Sequence, residues 1–265
     1  MPHQTITPDT LGTHPVLPTE AFWPNRFAGQ VFLVTGAAGG LGSATARRLA
    51  REGAHVMCTD IRAGGTADGS SPDDCLALDV TEREHWDRAV AHTITTHGRI
   101  DGALFSHGIQ GPETSVPDMP YDKWATTMTV NLDGCFHGLA ALLPKLQAQG
   151  YGRVAVLSSI SAREGNPHQA AYSASKAALV ALVKTAGKEV APDGVTVNCI
   201  APSMMRTSLI NALSPERNAQ LLARVPIGRI GEPSEFAALA TWLLSPEATY
   251  MTGQHLDLSG GRNTG

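Results

Sequence analysis

The sequence predicts an α/β protein built on one doubly wound domain, in which about seven parallel strands carry helices on both faces. From Val31 onward, short β-rich runs alternate with helical stretches. The short runs are apolar without alternation, which is typical of strands buried on both faces. No internal repeat or long linker interrupts this rhythm. We therefore expect one catalytic or binding domain over residues 25–265, preceded by an extended or disordered arm over residues 1–24 that is rich in Thr and Pro.

The predicted elements follow one another in a βαβ order. The first half contains the strand "VFLVTG", the helix "LGSATARRLAREG", the strands "HVMCTD" and "CLALDV", the helix "REHWDRAVAHTITTHG" and the strand "GALFSHG". The second half contains the helix "KWATTMTVNLDGCFHGLAALLPKLQ", the strand "RVAVLSS", the helix "AAYSASKAALVALVKTAGKEVA", the strand "VTVNCIAP", the helix "EFAALATWLLS" and the strand "HLDLSGG".

Composition excludes several classes of function. A chain of 265 residues with 42% hydrophobic residues and a net charge of −4 is ordinary for a globular protein and offers no basic footprint for nucleic acid. Cys58, Cys75, Cys135 and Cys199 lie far apart without C-x-x-C spacing, so we predict reduced thiols and no metal site. The N-terminus lacks a secretory pattern, and no apolar run is long enough to span a bilayer. These features favour a cytoplasmic protein without a membrane partner.

The end of the first predicted strand indicates a nucleotide site. In doubly wound sheets, ligands bind beyond the carboxyl ends of the strands. There the chain reads "TGAAGGLG", with Gly36 and Gly40, and glycines let a backbone approach a pyrophosphate at a helix N-terminus. A tight strand-to-helix turn also requires glycine, so the cluster alone does not decide between the two interpretations.

A carboxylate at the end of the second strand refines this hypothesis. Asp60 stands 24 residues after Gly36, where it can accept hydrogen bonds from a ribose with free hydroxyls and repel a 2′-phosphate. This position favours NAD over NADP. Two alternatives remain open: Asp60 can be a turn or N-cap residue, and Arg62 can turn toward a phosphate.

The catalytic signal is the pair formed by Tyr172 and Lys176 in "YSASK". Four residues apart on a helix, the two side chains share one face. A neighbouring ammonium favours the phenolate and lowers the pKa of a tyrosine, which is otherwise a poor base at neutral pH. Ser159 ends the strand "RVAVLSS" thirteen residues earlier, so its hydroxyl can project over the same crevice and orient a substrate oxygen.

With these residues in view, the chain resembles the short-chain dehydrogenase/reductase family over about residues 26–265, through the motifs "TGAAGGLG", "VNLDG" and "YSASK". The resemblance implies a Rossmann-type fold with the catalytic residues Asn131, Ser159, Tyr172 and Lys176. Tyr172 would be the acid/base, Lys176 would lower its pKa and hold the nicotinamide ribose, and Asn131 would support a water chain that relays the proton. The implied cofactor contacts are Gly36, Gly40, Leu41, Asp60, Asp79, Val80, Ser106, Gly108, Tyr172, Lys176, Pro202 and Thr207.

The chain departs from the family pattern at two places. Where the family usually reads Asn-Asn-Ala-Gly after the fourth strand, this chain has Phe105, Ser106, His107 and Gly108. Ser106 replaces an amide hydrogen bond only partly, and His107 either packs structurally or touches the cofactor or the substrate. Ser203 stands where the family usually has glycine. By the resemblance, the substrate contacts are His107, Ser159, Arg163, His168, Tyr172 and Met205, with Gln169, Met204 and Arg206 close by.

These observations predict an NAD-dependent oxidoreductase that acts on a secondary alcohol or ketone of a small molecule. The run from "REGNPHQ" to "KEVA" and the ending "LDLSGGR" look similar to the bacterial branch acting on 2-keto-3-deoxy sugar acids, so we expect a polyhydroxylated metabolite. Alternatives are 3-oxoacyl thioester reduction, dehydrogenation of an apolar cyclic alcohol, and a dinucleotide-sensing regulator that would lose Tyr172 or Lys176. The apolar surface of the two long helices, which family members commonly pair, predicts a homotetramer.

Overall fold

Parallel strands form one continuous sheet in the computed structural model, which describes residues 22–62, 74–207 and 215–263. Within these residues the sheet has seven strands in the order β3-β2-β1-β4-β5-β6-β7. The strands are β1 Val31–Thr35, β2 His55–Asp60, β3 Asp74–Ala77, β4 Gly102–Phe105, β5 Gly152–Leu157, β6 Val195–Pro202 and β7 His255–Leu258. Every pairing is parallel, which confirms the predicted fold class.

Helices connect the strands and cover both faces of the sheet. They are α1 Gly40–Arg51, α2 Arg83–His97, α3 Tyr121–Met128, α4 Gly134–Gln149, α5 Ser161–Glu164, α6 Ala170–Val190, α7 Pro215–Leu222 and α8 Pro233–Leu244. A π-helical segment, Thr129–Asp133, joins α3 to α4 within what the sequence predicts as one helix. The short helix α5 lies in a stretch predicted as loop, and α7 has no counterpart among the predicted helices.

Two apolar clusters hold the layers together, one on each face of the sheet. One cluster packs α2, α4 and α6 against the strands and includes Trp86, Phe105, Leu139 and Leu179. The other packs α1 and α8 against the opposite face. Successive strand residues alternate between the two clusters, which explains why the strands read as continuous apolar runs instead of alternating ones. Burial of both faces fixes the sheet that positions the site.

The strand order reverses between β1 and β4, and this switch point places the site. Thr35 at the end of β1 lies in register with Phe105 at the end of β4. The residues that follow, Gly36 and Ser106, therefore emerge side by side at the carboxyl edge of the sheet. A crevice at such a point is where open α/β sheets bind ligands.

Most of the predicted arm, residues 1–21, lies outside the described residues, so its boundary and conformation stay predictions. The last part of it is described: the Phe22 ring lies 4.5 Å from the guanidinium carbon of Arg51, and Arg26 stacks on Trp23. A search of the described helices finds none that is both long and apolar enough to cross a membrane.

Candidate active site

Three adjoining cavities follow the carboxyl edge of the sheet within the described part of the chain. The first, of about 300 Å³, lies over β1 and β2 and is lined by residues that include Gly36, Asp60, Asp79, Val80 and His107. The second, of about 200 Å³, lies over β4 to β6 and shares Ser106, Gly108 and Ile109 with the first. The third, of about 360 Å³, continues outward and shares Gln110, Ser159, Tyr172, Pro202 and Ser203 with the second. The volumes of the first and third cavities are typical of small-molecule sites.

The glycine loop has the close packing and the helix N-terminus that a pyrophosphate site requires. Gly36 has φ +63°, and a Cβ there would lie 2.9 Å from the backbone of Ser106 and His107. A Cβ at Gly40 would lie 3.3 Å from the Thr207 Cγ2. The loop therefore needs a bare backbone at Gly36, and it leads directly into the N-terminus of α1, where phosphate groups are stabilised by free amides and the helix dipole.

Asp60 faces the first cavity and also anchors the glycine loop. Its Oδ2 accepts a hydrogen bond from the Ala38 amide at 3.1 Å. The Arg62 amide donates to Oδ1 at 3.3 Å, and the Arg62 Nε lies 3.8 Å from the same oxygen while its own side chain is mostly exposed. Asp60 thus stabilises the local turns through its carboxylate, and it also lines the cavity where a ribose would lie.

Asp79 and Val80 lie on the same cavity wall beyond β3. The Asp79 carboxylate accepts hydrogen bonds from the amide and hydroxyl of Thr81, which lower the pKa of Asp79 below its ordinary value. Its amide donates to the Nδ1 of His85 at 3.2 Å. These bonds fix the turn after β3 and leave the Val80 side chain against the cavity.

The helix α6 and strand β5 bring the catalytic candidates together. Ser159 and Tyr172 line both the second and the third cavity, and Lys176 lines the second. Desolvation raises the pKa of the Tyr172 hydroxyl, whereas a hydrogen bond with the Ser159 hydroxyl acts in the opposite direction. The structure therefore places the Tyr172 and Ser159 hydroxyls together at the boundary between two cavities.

Lys176 is a buried basic side chain whose amine lies near the Tyr172 ring. Its side chain is only 2% exposed, and its Nζ donates to the Leu157 carbonyl at 2.7 Å. The Nζ also lies 5.8 Å from the centroid of the Tyr172 ring. Burial lowers the pKa of Lys176, since the charged form is desolvated. Such an ammonium favours the phenolate form of the adjacent tyrosine.

Asn131 lies in the π-helical segment and forms hydrogen bonds with the loop after β4. Its Oδ1 accepts from the Ile109 amide at 2.8 Å, and its Nδ2 donates to the Ile109 carbonyl at 2.9 Å and to the Ser175 Oγ at 3.0 Å. A Cβ at Gly108 would lie 3.1 Å from the Asn131 Oδ1 and 3.3 Å from the Lys176 Nζ. The π turn and Gly108 thus bring α4, α6 and the β4 loop into contact.

The expectation that His107 contacts substrate is corrected by its side-chain position. The residue is 8% exposed, its Nδ1 lies 2.7 Å from the Thr35 Oγ1 and its Nε2 lies 3.3 Å from the Cys135 Sγ. It lines the first cavity and not the third. Burial lowers the pKa of His107 to about 3, so the ring is neutral. The imidazole ties β1 to α4, as the structural alternative expects, and it also lines the cavity proposed for the cofactor, so contact with the cofactor stays a prediction.

Ser106 supports the same junction, because its hydroxyl donates to the Thr35 carbonyl. The two residues that replace part of the family's motif thus both bond to Thr35. The other departure, Ser203, contributes to the wall of the second and third cavities, and its hydroxyl is buried without a hydrogen-bond partner among the described residues.

One further substrate expectation, Arg163, is corrected, whereas Met205 lies in the cavity that also holds Ser159 and Tyr172 and stays a prediction. Arg163 does not line the third cavity, because its guanidinium is bound to the edge strand β7: Nε donates to the His255 Nδ1 at 3.0 Å and Nη1 to Asp257 at 3.2 Å. Met205 lines the second cavity and packs into the core, whereas its neighbour Met204 lines the third. Arg206, which the sequence places close by, pairs with Glu232 at 2.8 Å.

The remaining predicted residues lie where the sequence places them. Leu41, Pro202 and Thr207 line the second cavity, and His168 lines the third with φ +64°. Sequence reasoning missed Glu113, Arg217, Arg224 and Arg262, which also line the third cavity. A weak signal exists for Glu113, which follows the β4 strand end in "GIQGPE". No local signal exists for the arginines, because tertiary folding brings them to the site.

Comparisons with known proteins agree with this geometry. Residues 36–263 match the family model described as enoyl-(acyl carrier protein) reductase. A 2-dehydro-3-deoxy-L-rhamnonate dehydrogenase (NAD(+)) of Sphingomonas sp. (strain SKA58) is 33% identical over 242 residues, covering 90% of this chain and 97% of the relative. A 3-oxoacyl-[acyl-carrier-protein] reductase of Thermotoga maritima is 35% identical over 89% of this chain and 98% of its own length.

Solved structures give the same result. The crystal structure of an NAD+-bound xylitol dehydrogenase has a TM-score of 0.82 and 32% identity, covering 89% of this chain and 99% of that one. A levodione reductase has a TM-score of 0.83 and 30% identity, with 89% and 98% covered. Family model, relatives and fold all extend over the cavities and the Tyr172–Lys176 pair, and they confirm the family predicted from the motifs. The chain belongs to the short-chain dehydrogenase/reductase family, as an oxidoreductase acting on CH–OH groups.

Proposed function

We propose that the protein is an NAD-dependent dehydrogenase that interconverts a secondary alcohol and a ketone on a polyhydroxylated small molecule. One observation carries this proposal: Ser159 and Tyr172 line both the cavity that follows the glycine loop and the outer cavity. A substrate in the outer cavity would therefore meet both hydroxyls at the border of the nicotinamide site. NAD, when bound, supplies the hydride acceptor for the alcohol carbon.

The proton chemistry belongs to Tyr172. In the oxidative direction its phenolate accepts the proton of the substrate hydroxyl, and in the reductive direction its hydroxyl returns a proton to the carbonyl oxygen. The buried ammonium of Lys176 stabilises the phenolate. Ser159 holds the same substrate oxygen by a hydrogen bond, so that the reacting carbon faces the cofactor.

Asn131 supports this site as a positioning residue. Its side-chain amide bonds to Ile109 and Ser175, and Asn131 does not line the outer cavity, so we place it outside direct substrate contact. By bonding to Ile109 and Ser175, it joins the β4 loop to α6 beside Lys176. We expect this junction to support the proposed proton relay to solvent.

The cofactor residues support NAD over NADP. Gly36, Gly40 and Leu41 would lie under the pyrophosphate, Asp60 would accept from the adenosine ribose, and Thr207 with Pro202 would adjoin the nicotinamide. The Asp60 carboxylate opposes a 2′-phosphate on the ribose. The Sphingomonas relative is an NAD(+) enzyme by name, and the xylitol dehydrogenase structure is NAD+-bound.

The outer cavity supports a hydrophilic substrate. Its wall carries Gln110, Glu113, Asn166, His168 and Gln169, each able to bond a hydroxyl group. Two relatives have names that specify polyhydroxylated substrates, a deoxy sugar acid and xylitol. A 2-keto-3-deoxy sugar acid or a related sugar therefore fits the site best, since a wall of this kind would leave polar groups unpaired against an apolar alcohol.

The second candidate is reduction of a 3-oxoacyl thioester. The Thermotoga relative and the family description favour it, and Met204 and Leu221 give the outer cavity an apolar side. This reaction would more naturally use NADPH, which Asp60 disfavours. Oxidation of an apolar cyclic alcohol is a weaker version of the same alternative. A regulator without turnover is disfavoured because Tyr172 and Lys176 are both in place.

Assembly and location belong to the same proposal. Phe136 on α4 is 52% exposed, so apolar surface remains on one of the helices that would pair. We expect a homotetramer in the cytoplasm, without nucleic-acid or membrane partners. Light scattering at micromolar concentration tests the assembly, and a monomeric mass would refute it.

The proposed reaction is tested by following NADH formation with a panel of sugar acids, sugars, alditols, 3-hydroxyacyl thioesters and cyclic alcohols. We expect turnover with polyhydroxylated compounds and NAD. Preferred turnover of the thioesters with NADP would establish the second candidate instead, and activity on apolar alcohols alone would remove the polyhydroxylated assignment.

A further inference from the structure

The outer cavity carries a cluster of arginines on the wall formed by α7 and the C-terminal segment. Arg217 lies on α7, Arg224 follows it and Arg262 comes after β7, so separate parts of the chain contribute to one wall. These are the arginines that line the outer cavity in the described part of the chain, since Arg163 and Arg206 point elsewhere.

One carboxylate organises two of these arginines. Arg262 holds Glu164 through two hydrogen bonds, Nε to Oε1 at 3.0 Å and Nη2 to Oε2 at 2.7 Å, and its side chain is 5% exposed. The Nη2 of Arg224 donates to the same Oε2 at 3.2 Å. Two guanidinium groups on one carboxylate leave one positive charge unneutralised within this triad.

Arg224 is the member that can meet a ligand. Its side chain is 50% exposed, and only one of its guanidinium N–H groups is used by Glu164. A guanidinium has five N–H donors arranged as a planar fork, so a second carboxylate can be bound by two parallel hydrogen bonds. Glu164 and the buried Arg262 fix the orientation of this fork from behind.

The other polar wall has the opposite character. The Glu113 carboxylate accepts from the Gln110 amide at 2.8 Å and from the Gln169 amide at 3.2 Å. That wall offers acceptors and amides suited to hydroxyl groups and repels an anion. An elongated ligand with hydroxyl groups and one carboxylate therefore has a preferred orientation in the cavity.

We propose that Arg224, oriented by Glu164 and Arg262, is a carboxylate subsite that makes the enzyme selective for hydroxy or keto acids over their neutral counterparts. The ligand class is a polyhydroxylated monocarboxylate whose hydroxyl groups face Glu113, Gln110 and Gln169. This inference rests on the proposed function for the placement of the substrate, and it adds the side chain that recognises the substrate carboxylate.

The test measures binding apart from turnover. In the Tyr172→Phe background with NAD present, calorimetry compares 2-dehydro-3-deoxy-L-rhamnonate with its primary amide. We expect the acid to bind more tightly, and Arg224→Gln to weaken the acid about tenfold while changing the amide less than about twofold, since one solvent-accessible charge-assisted pair is lost. Arg224→Lys should recover part of the loss, because the charge remains without the planar fork.

Arg206→Gln is the matched control, because its guanidinium is equally exposed but pairs with Glu232 outside the cavity. We expect it to leave both affinities unchanged. Three results would each overturn the subsite. The acid and the amide could bind equally to the unsubstituted site, Arg224→Gln could keep the preference for the acid, or Arg206→Gln could lose as much affinity for the acid as Arg224→Gln. If the acid binds with the expected pattern but the active enzyme does not oxidise it, the subsite stands and the substrate assignment fails.

Discussion

Replacing Asp60 should change cofactor choice by an amount that follows from its surroundings. The carboxylate is 15% exposed and faces the first cavity. A unit charge about 5 Å away at an effective dielectric constant of about 20 would be repelled by about 3 kcal/mol. Arg62, with its Nε 3.8 Å away, offsets part of this repulsion. Lost ribose hydrogen bonds add to the discrimination, so we expect a selectivity of about 2 to 3 kcal/mol, or about 30- to 150-fold in favour of NAD.

Two variants separate the charge from the hydrogen bond to the glycine loop. Asp60→Asn keeps an acceptor for the Ala38 amide but removes the charge, so kcat/KM for NADP should rise while that for NAD falls modestly. Asp60→Ala also removes the loop anchor, so NAD should lose more. Steady-state kinetics with both cofactors gives the four ratios. Equal use of NAD and NADP by the wild type, or no gain for NADP in Asp60→Asn, would refute the reasoning.

Three further outcomes are expected. Gly36→Ala should lower the free energy of unfolding by about 2 to 5 kcal/mol, because the position has a positive φ and a Cβ would clash with backbone. Gly29 has φ +76° but nothing within 4 Å of a Cβ, so Gly29→Ala should show only the loss that comes from the positive φ. Equal losses for the two variants in denaturant melts would contradict the clash. His107 has a folded pKa of about 3 against 6.5 unfolded. Between these two values the free energy of unfolding should fall by up to about 1.4 kcal/mol for each pH unit that the pH is lowered; His107→Gln should remove this slope relative to the exposed His92→Gln control. Desolvation raises the pKa of Tyr172, so its phenolate should become more populated as the pH rises. The initial rate of oxidation should therefore increase with pH and that of reduction should decrease. A flat pH profile would contradict the acid–base role of Tyr172.

The sequence predicts the framework of the site because its residues lie at the ends of predicted strands or on one predicted helix. Gly36 follows β1, Asp60 ends β2 and Ser159 follows β5, so the parallel sheet alone brings them to one edge. The placement of Tyr172 and Lys176 on one helix face follows from their spacing of four residues. These are local patterns, and a doubly wound sheet converts them directly into neighbours.

The outer parts of the site depend on tertiary contacts that no local pattern encodes. Arg163 is one residue away from Glu164, yet it bonds to β7 while Glu164 bonds to the cavity arginines. His107 follows the strand end as predicted, but hydrogen bonds with Thr35 and Cys135 hold its ring away from the outer cavity. Only the packing of β1, β7 and α4 decides these directions.

The measurement that tests the central claim most directly is turnover by Tyr172→Phe with the best substrate from the NADH-formation panel. This substitution removes one hydroxyl and leaves the aromatic ring against Lys176. We expect turnover to fall by at least about 10²- to 10⁴-fold, the usual contribution of a general acid–base group, while the NADH dissociation constant measured by fluorescence stays within about threefold. Retention of near-wild-type turnover by the folded variant would contradict the assignment of Tyr172 and with it the proposed dehydrogenase mechanism.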